Sequence, residues 1–228
     1  MLAISGPSGS FKTRLVMDLL VSCVSSIALG GWGNKAAVVF DMQSTFDIAS
    51  LKQMLSAKVD DSSLVDAALR QIHVFRPQST AQLAASIVAL PRYQRKKVKG
   101  DIALVVVDSM SSFYWTDRYS GSSAALEHVL LALRAFRASH RPLIALTNWA
   151  LTLVDADPSA VPVYKQHLPV FPTLSESPSD TGSLTHDIVL QLQPVAEPNE
   201  DTVSANEVTG YIRKSGSNQV VTFPVLEL

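Results

Sequence analysis

The sequence predicts a mostly parallel α/β domain carrying a phosphate-binding loop, and three observations predict it. Short β-branched runs alternate with longer helical stretches over the first two thirds of the chain, the pattern of a parallel sheet with helices on both faces. The run Gly6-Pro7-Ser8-Gly9-Ser10-Phe11-Lys12-Thr13 follows a short apolar strand and opens a helix, where a phosphate cradle belongs. Ile102 to Asp108, IALVVVD, is an apolar central strand that ends on a carboxylate. With 228 residues the chain has room for one large domain, expected to span all of it.

Each element has a local reason. Leu2 to Ser5 reads as the first strand and Lys12 to about Leu29 as a helix, which Gly30-Gly31-Trp32-Gly33 ends, because repeated glycine favours a turn. Ala36 to Asp41 is a buried strand, Phe46 to Ala57 a helix, Ile72 to Phe75 a strand and Ala81 to Leu90 a helix. After the Ile102–Asp108 strand, leucines at helical spacing mark Ala124 to Ser139, and Leu143 to Thr147 returns as a strand. Asp155 to Ser183 holds Pro158, Pro162, Pro169, Pro172 and Pro178 among serines, and reads as a long irregular loop. Ile188–Leu192, Thr209–Arg213 and Val220–Val225 read as edge strands that finish the sheet, with the acidic stretch Glu197 to Asp201 as a turn.

Composition narrows the function classes. Hydrophobic residues make up 47% and charged residues 17%, an apolar balance that suits strands buried on both faces, or a partner surface. The net charge of -1 lacks the basic excess of a stand-alone nucleic-acid binder. A single cysteine, Cys23, excludes an internal disulfide and sits in an apolar helical stretch, where inert burial is expected. The sequence shows no secretory signal and no apolar run of membrane-spanning length, so the expectation is a cytosolic or nuclear protein without membrane contact.

The loop Gly6 to Thr13 carries the strongest chemistry. Its backbone N–H groups would cradle phosphates, Lys12 would neutralise β/γ-phosphate charge, and Thr13 would hold Mg²⁺. Asp108 stands where a carboxylate holds that Mg²⁺ through water. The nucleotide-binding set is therefore Gly6, Pro7, Ser8, Gly9, Ser10, Phe11, Lys12, Thr13 and Asp108, with ATP and Mg²⁺ as the implied, weakly held ligands. Phe11 departs from the pattern, which has glycine before the lysine so that the backbone can approach the phosphates. A phenylalanine forced into a strained conformation there costs roughly 1–3 kcal/mol. The cluster from Arg92 to Lys99 reads as a solvated connector, a nuclear-import signal or a DNA-backbone contact. Phe113, Tyr114 and Trp115 read as strand residues of which at least one faces a groove or partner.

Three collinear runs, VVFDMQSTFD (Val38 to Asp47), IALVVVDSMSSFYWTDR (Ile102 to Arg118) and LIALTN (Leu143 to Asn148), resemble core motifs of the RecA-type recombinases and their paralogues. The resemblance covers Leu2 to about Asn148 and is most specific from Asp108 to Arg118. It implies a RecA-like P-loop NTPase core acting in homologous recombination, in the nucleus, within a complex of recombinase paralogues. Gly6, Lys12, Thr13 and Asp108 match the family's motifs. Where active members carry a water-activating glutamate, two residues beyond the aspartate matching Asp41, this chain has Gln43. Loss of a general base typically costs about 10²–10⁴ in rate. The glutamine that follows Thr-Asn in active members is Trp149 here. The resemblance with these departures implies a subunit with little or no catalysis and no catalytic residue assigned. A slow DNA-stimulated ATPase and a scaffold with an empty phosphate loop remain the alternatives. The loop from Asp155 to Ser183 would match the family's second DNA-binding loop, yet its basic residues are Lys165 and His167. Direct DNA contact is therefore expected to be weak, with DNA reached through the complex. Only Met1 to Ser5 precede the phosphate loop, so the expectation is an end subunit bound to another RecA-like chain.

Overall fold

The computed structural model describes residues 1–121, 125–155, 161–166, 185–193, 207–217 and 219–225. They group into two compact units, Thr13–Leu146 on one hand and Met1–Lys12 with Thr147–Leu228 on the other.

The first strand, β1, spans Leu2–Gly6 in the second of these units, and the first helix, α1, covers Lys12–Val24. In the Thr13–Leu146 unit follow β2 (Ala36–Asp41), α2 (Ile48–Ser56), α3 (Ser62–Leu69), β3 (Ile72–Phe75), α4 (Thr80–Lys97), β4 (Ile102–Asp108), α5 (Tyr114–Ser120) and α6 (Ala125–His140). The strand β5 starts there at Leu143 and runs to Asp155. The order is β3-β2-β4-β5, all parallel, with Val39 beside Val74 and Val106, and Val106 beside Ala145. Parallel neighbours need crossover connections, which the helices provide. The runs AAVVFD and LVVV are wholly buried, as strands covered on both faces must be.

Caps explain where the helices begin. Asp47 accepts from the backbone N–H of Ala49 and Ser50 at 2.8 and 3.2 Å, so α2 begins at Ile48 and not at the expected Phe46. Asp61 accepts from Ser63 N at 2.8 Å and starts α3, a helix the sequence pattern did not reveal. Ser79 accepts from Gln82 N at 3.2 Å and starts α4. That helix passes through Pro91 and ends only at Lys97, where Gln94 donates to Gly100 O at 3.2 Å. The expected stop at Leu90 is thus too early, and Arg92 to Lys97 lie on a helix rather than a connector. In contrast α1 stops at Val24, and Ile27–Leu29 is a separate short 3₁₀ turn closed by Gly30 at φ 74°. The N-terminal residues of α5 are Tyr114 and Trp115, with Phe113 as its cap, so this aromatic run is helical and not a strand.

In the other unit β1 lies parallel to β7 (His186–Gln193), with Ile4 beside Ile188. The strand β8 (Glu207–Lys214) pairs antiparallel with β7, and β9 (Val220–Val225) with β8. Of the three expected edge strands, β7 and β8 are therefore internal, β7 flanked by β1 and β8 and β8 by β7 and β9, and β9 is at the edge. A Cβ on Gly210 would run into the Phe223 ring, so glycine is required where β9 crosses β8. The expected loop from Asp155 to Ser183 contains a strand, β6 (Val163–Gln166), antiparallel to the second half of β5. The rest of that stretch, like Glu197 to Asp201, lies outside the described residues. The expected class, α/β with a mostly parallel sheet and C-terminal antiparallel strands, is the one formed.

Candidate functional site

The phosphate-type loop begins where β1 ends. A Cβ on Gly6 would meet Ser10 Oγ and approach Leu190 Cβ to 3.0 Å, so the tight turn tolerates only glycine. Ser10 is buried, and its hydroxyl donates to Pro7 O at 2.9 Å. Gly9 has φ 78°, which glycine adopts at no steric cost. Phe11 has φ 58°, in the left-handed region that a non-glycine residue occupies at roughly 1–2 kcal/mol. The position where the motif has glycine therefore does demand a glycine-like backbone, and phenylalanine adopts it under strain. Lys12 turns back over the loop and donates to Gly6 O at 2.8 Å and Pro7 O at 2.6 Å. An anion bound here would draw the ammonium from neutral carbonyls to a charged acceptor, the stronger kind of hydrogen bond.

In the Thr13–Leu146 unit, Thr13 Oγ1 donates to the Asp108 carboxylate at 3.2 Å, although 95 residues separate them. Asp108 ends β4 half-buried, and its carbonyl accepts from Met42 N at 2.8 Å, which fixes the strand end. The Asp108–Ser109 peptide bond is cis. A hydroxyl and a carboxylate are hard oxygen donors, and Mg²⁺ is commonly held by one or two such groups with waters and substrate phosphates. The pair therefore fits the ion, and no group of three or more His, Cys, Asp or Glu residues able to hold a metal occurs among the described residues.

A second carboxylate has a different task. Asp41 ends β2 buried and accepts from Thr45 N at 3.0 Å, Phe46 N at 3.3 Å and Arg76 Nε at 3.1 Å. It braces the loop that carries Gln43, whose side chain is exposed. An amide cannot accept a proton as a carboxylate does, so the loop is held in place without a base on it. The brace was not recognised from sequence, though an aspartate ending one strand and an arginine following its parallel neighbour is the pattern that signals it. Thr147 and Asn148 on β5 are fully buried, and Trp149 beside them is half-buried.

Sequence comparison supplies the context. The chain is 27% identical over 170 residues to the DNA repair protein XRCC2 of Mus musculus, covering 71% of this chain and 60% of that protein. It is 25% identical over 191 residues to the DNA repair protein XRCC2 homolog of Arabidopsis thaliana, covering 67% of this chain and 48% of that one. The chain is thus similar to two proteins named XRCC2. It spans between about half and about three fifths of the length of these relatives. No family model matches the sequence.

Burial fixes Cys23 as structural. It is fully buried, and desolvation pushes its thiol up to about 12, slightly offset by Lys35. That is the inert cysteine expected from its sequence setting.

Proposed function

We propose that this chain acts in DNA repair by homologous recombination as a nucleus-located RecA-like subunit that binds ATP weakly and hydrolyses it little or not at all. The repair role is supported by similarity to two proteins named for DNA repair. The observation that carries the nucleotide reading is the Thr13–Asp108 hydrogen bond, which brings together the two oxygen donors suited to Mg²⁺. Bound Mg²⁺ would neutralise charge between β- and γ-phosphates. The chain's own residues would do the remainder: loop N–H groups and Lys12 would hold phosphate oxygens, and Thr13 and Asp108 would hold the ion's ligand shell. Strain at Phe11 weakens the complex, and Gln43 leaves the attacking water without a base. Partner RecA-like paralogues and contact with DNA through the complex complete the proposal.

The test of the role is complementation. Cells lacking their XRCC2-like protein should regain resistance to double-strand breaks when given this chain, and Lys12→Ala should retain most of that resistance. Failure of the wild-type chain to restore resistance, with the protein stably present, refutes the role.

A further inference from the structure

We propose that the C-terminal ends of α4 and α6 form a contact surface for the DNA phosphate backbone, at the opposite end of the sheet from Asp108; the proposal rests on the repair reading above. Arg92, Arg95, Lys96, Lys97 and Lys99 are all exposed at the end of α4 and just beyond it. Arg134, Arg137 and Arg141 lie at the end of α6 and just beyond it, with Arg134 and Arg141 exposed. The two ends are neighbours by topology. The helix α4 leads into β4 and α6 into β5, these strands are parallel with Leu104 beside Leu143, and the two helices pack against each other. Asp108 lies at the far end of β4, about 20 Å away for a strand of this length.

Helix electrostatics alone does not account for so many cations. A helix C-terminus favours a basic residue or two in its last turn, and the effect fades beyond it. Here Arg92 lies before the last turn and Lys99 beyond it, and Arg92 with Lys96 are like charges four apart, a repulsive spacing. Among the described residues none of Arg92, Arg95, Lys96, Lys97 or Lys99 is in an ion pair, and Asp101 is the acidic residue of that turn. The end of α4 thus holds uncompensated charge that a polyanion would relieve.

The observations favour a nucleic-acid backbone over an acidic protein segment. Tight protein partners need a desolvated aromatic or apolar anchor, whereas phosphate binding needs only cations. The exposed apolar residues of these helices, Val88 on α4 and Leu131 on α6, lie before the cations in each helix and outside the run from Arg92 to Lys99. The aromatic of this stretch, Tyr93, is turned inward, at 3.0 Å from His73 Nδ1 and edge-on to Phe75. Cations three and four residues apart advance by about 4.5–6 Å along the helix axis, a step comparable to the spacing of charges along one DNA strand of about 3.4 Å per phosphate. In a chain whose net charge is -1, this concentration leaves the remaining surface acidic, so DNA would approach by this face.

Fluorescence anisotropy of a labelled DNA duplex with the full chain, over a salt series, tests the surface. Arg92→Glu, Arg95→Glu, Lys96→Glu and Lys99→Glu together should weaken binding more than tenfold. The log–log salt slope should shrink by about 0.9 for each phosphate no longer neutralised. The four glutamine substitutions, which preserve helix propensity, should give a smaller loss in the same direction, and Arg92→Lys with Arg95→Lys should bind as wild type. Unchanged affinity and slope in the folded charge-reversed chain overturn the proposal, as does competition by polyglutamate that duplex DNA cannot match. The complementation assay keeps the two readings apart. If the wild-type chain restores damage resistance while charge reversal leaves DNA binding intact, the surface is wrong and the repair role stands. If charge reversal abolishes DNA binding but the wild-type chain restores nothing, the repair role is wrong and the surface stands.

Discussion

Replacing Phe11 by glycine and, separately, by alanine isolates what the left-handed backbone of the phosphate loop costs. Phe11 sits at φ 58°, where an L-residue with a Cβ loses roughly 1–2 kcal/mol that glycine does not lose. Both substitutions remove the half-buried ring, so loss of its packing cancels between them. Alanine keeps the Cβ strain, while glycine removes it but gives up about 0.5–1 kcal/mol of unfolded-chain entropy. Glycine should therefore be better than alanine by a net of up to about 1.5 kcal/mol, the reverse of the usual order. For a chain of this size, 1 kcal/mol moves Tm by about 2–4 °C. Differential scanning fluorimetry should place Phe11→Gly above Phe11→Ala by about that much, and titration with a fluorescent ATP analogue should show Phe11→Gly binding up to about tenfold more tightly than wild type. A Phe11→Ala chain that is as stable as Phe11→Gly would refute the strain argument. Tighter binding by alanine alone would shift the blame to the ring's bulk.

Four further substitutions report on other parts of the molecule. Asp108→Asn should weaken nucleotide binding in Mg²⁺ by about 10–100-fold, the worth of a charged hydrogen-bond acceptor, and leave binding in EDTA nearly unchanged; calorimetry in the two buffers checks it. Asp41→Asn should destabilise the fold by about 1–3 kcal/mol in urea unfolding, because the buried acceptor of Thr45 N, Phe46 N and Arg76 is weakened, whereas Arg76→Ala, which removes a half-exposed partner, should cost less. Cys23 should resist alkylation in the native state and react after unfolding. Its thiol is raised from 9.0 to about 12 by burial, so the folded chain keeps a proton that the unfolded chain loses across this interval. Its contribution is intact below pH 9 and falls by about 1.4 kcal/mol per unit as pH rises above it. Cys23→Ala should lose less stability than wild type between pH 9 and 10.

Periodicity located the strands well because burial on both faces leaves a plain signature. Ala36–Asp41, Ile72–Phe75, Ile102–Asp108 and Val220–Val225 are bounded as their apolar runs indicate. Helix ends were less legible, since side-chain caps and turns decide them. Asp61 starts α3 in a polar stretch with little periodicity, and Pro91 is tolerated within α4 instead of ending it. The long reach of β5 and the pairing of β6 depend on long-range partners that no local window contains. In the candidate site the motif supplied Lys12, Thr13 and Asp108, and the glycine rule anticipated the conformation of Phe11. The role of Asp41 was hidden because Arg76, 35 residues away, reaches it only through the β2–β3 pairing, and the two local N–H donors, Thr45 and Phe46, carry no side-chain signal.

The central claim, weak Mg²⁺-assisted ATP binding without appreciable turnover, is tested most directly by calorimetric ATP titration of the wild-type chain with and without Mg²⁺, with released phosphate measured in the same samples. The account predicts saturable binding that tightens with Mg²⁺, is lost in Lys12→Ala, and yields no more phosphate than that variant releases. Absence of binding in either buffer would contradict it in favour of a scaffold. Phosphate release at a rate typical of enzymes, about 1 per second or faster, and abolished by Lys12→Ala, would contradict it in favour of a working ATPase.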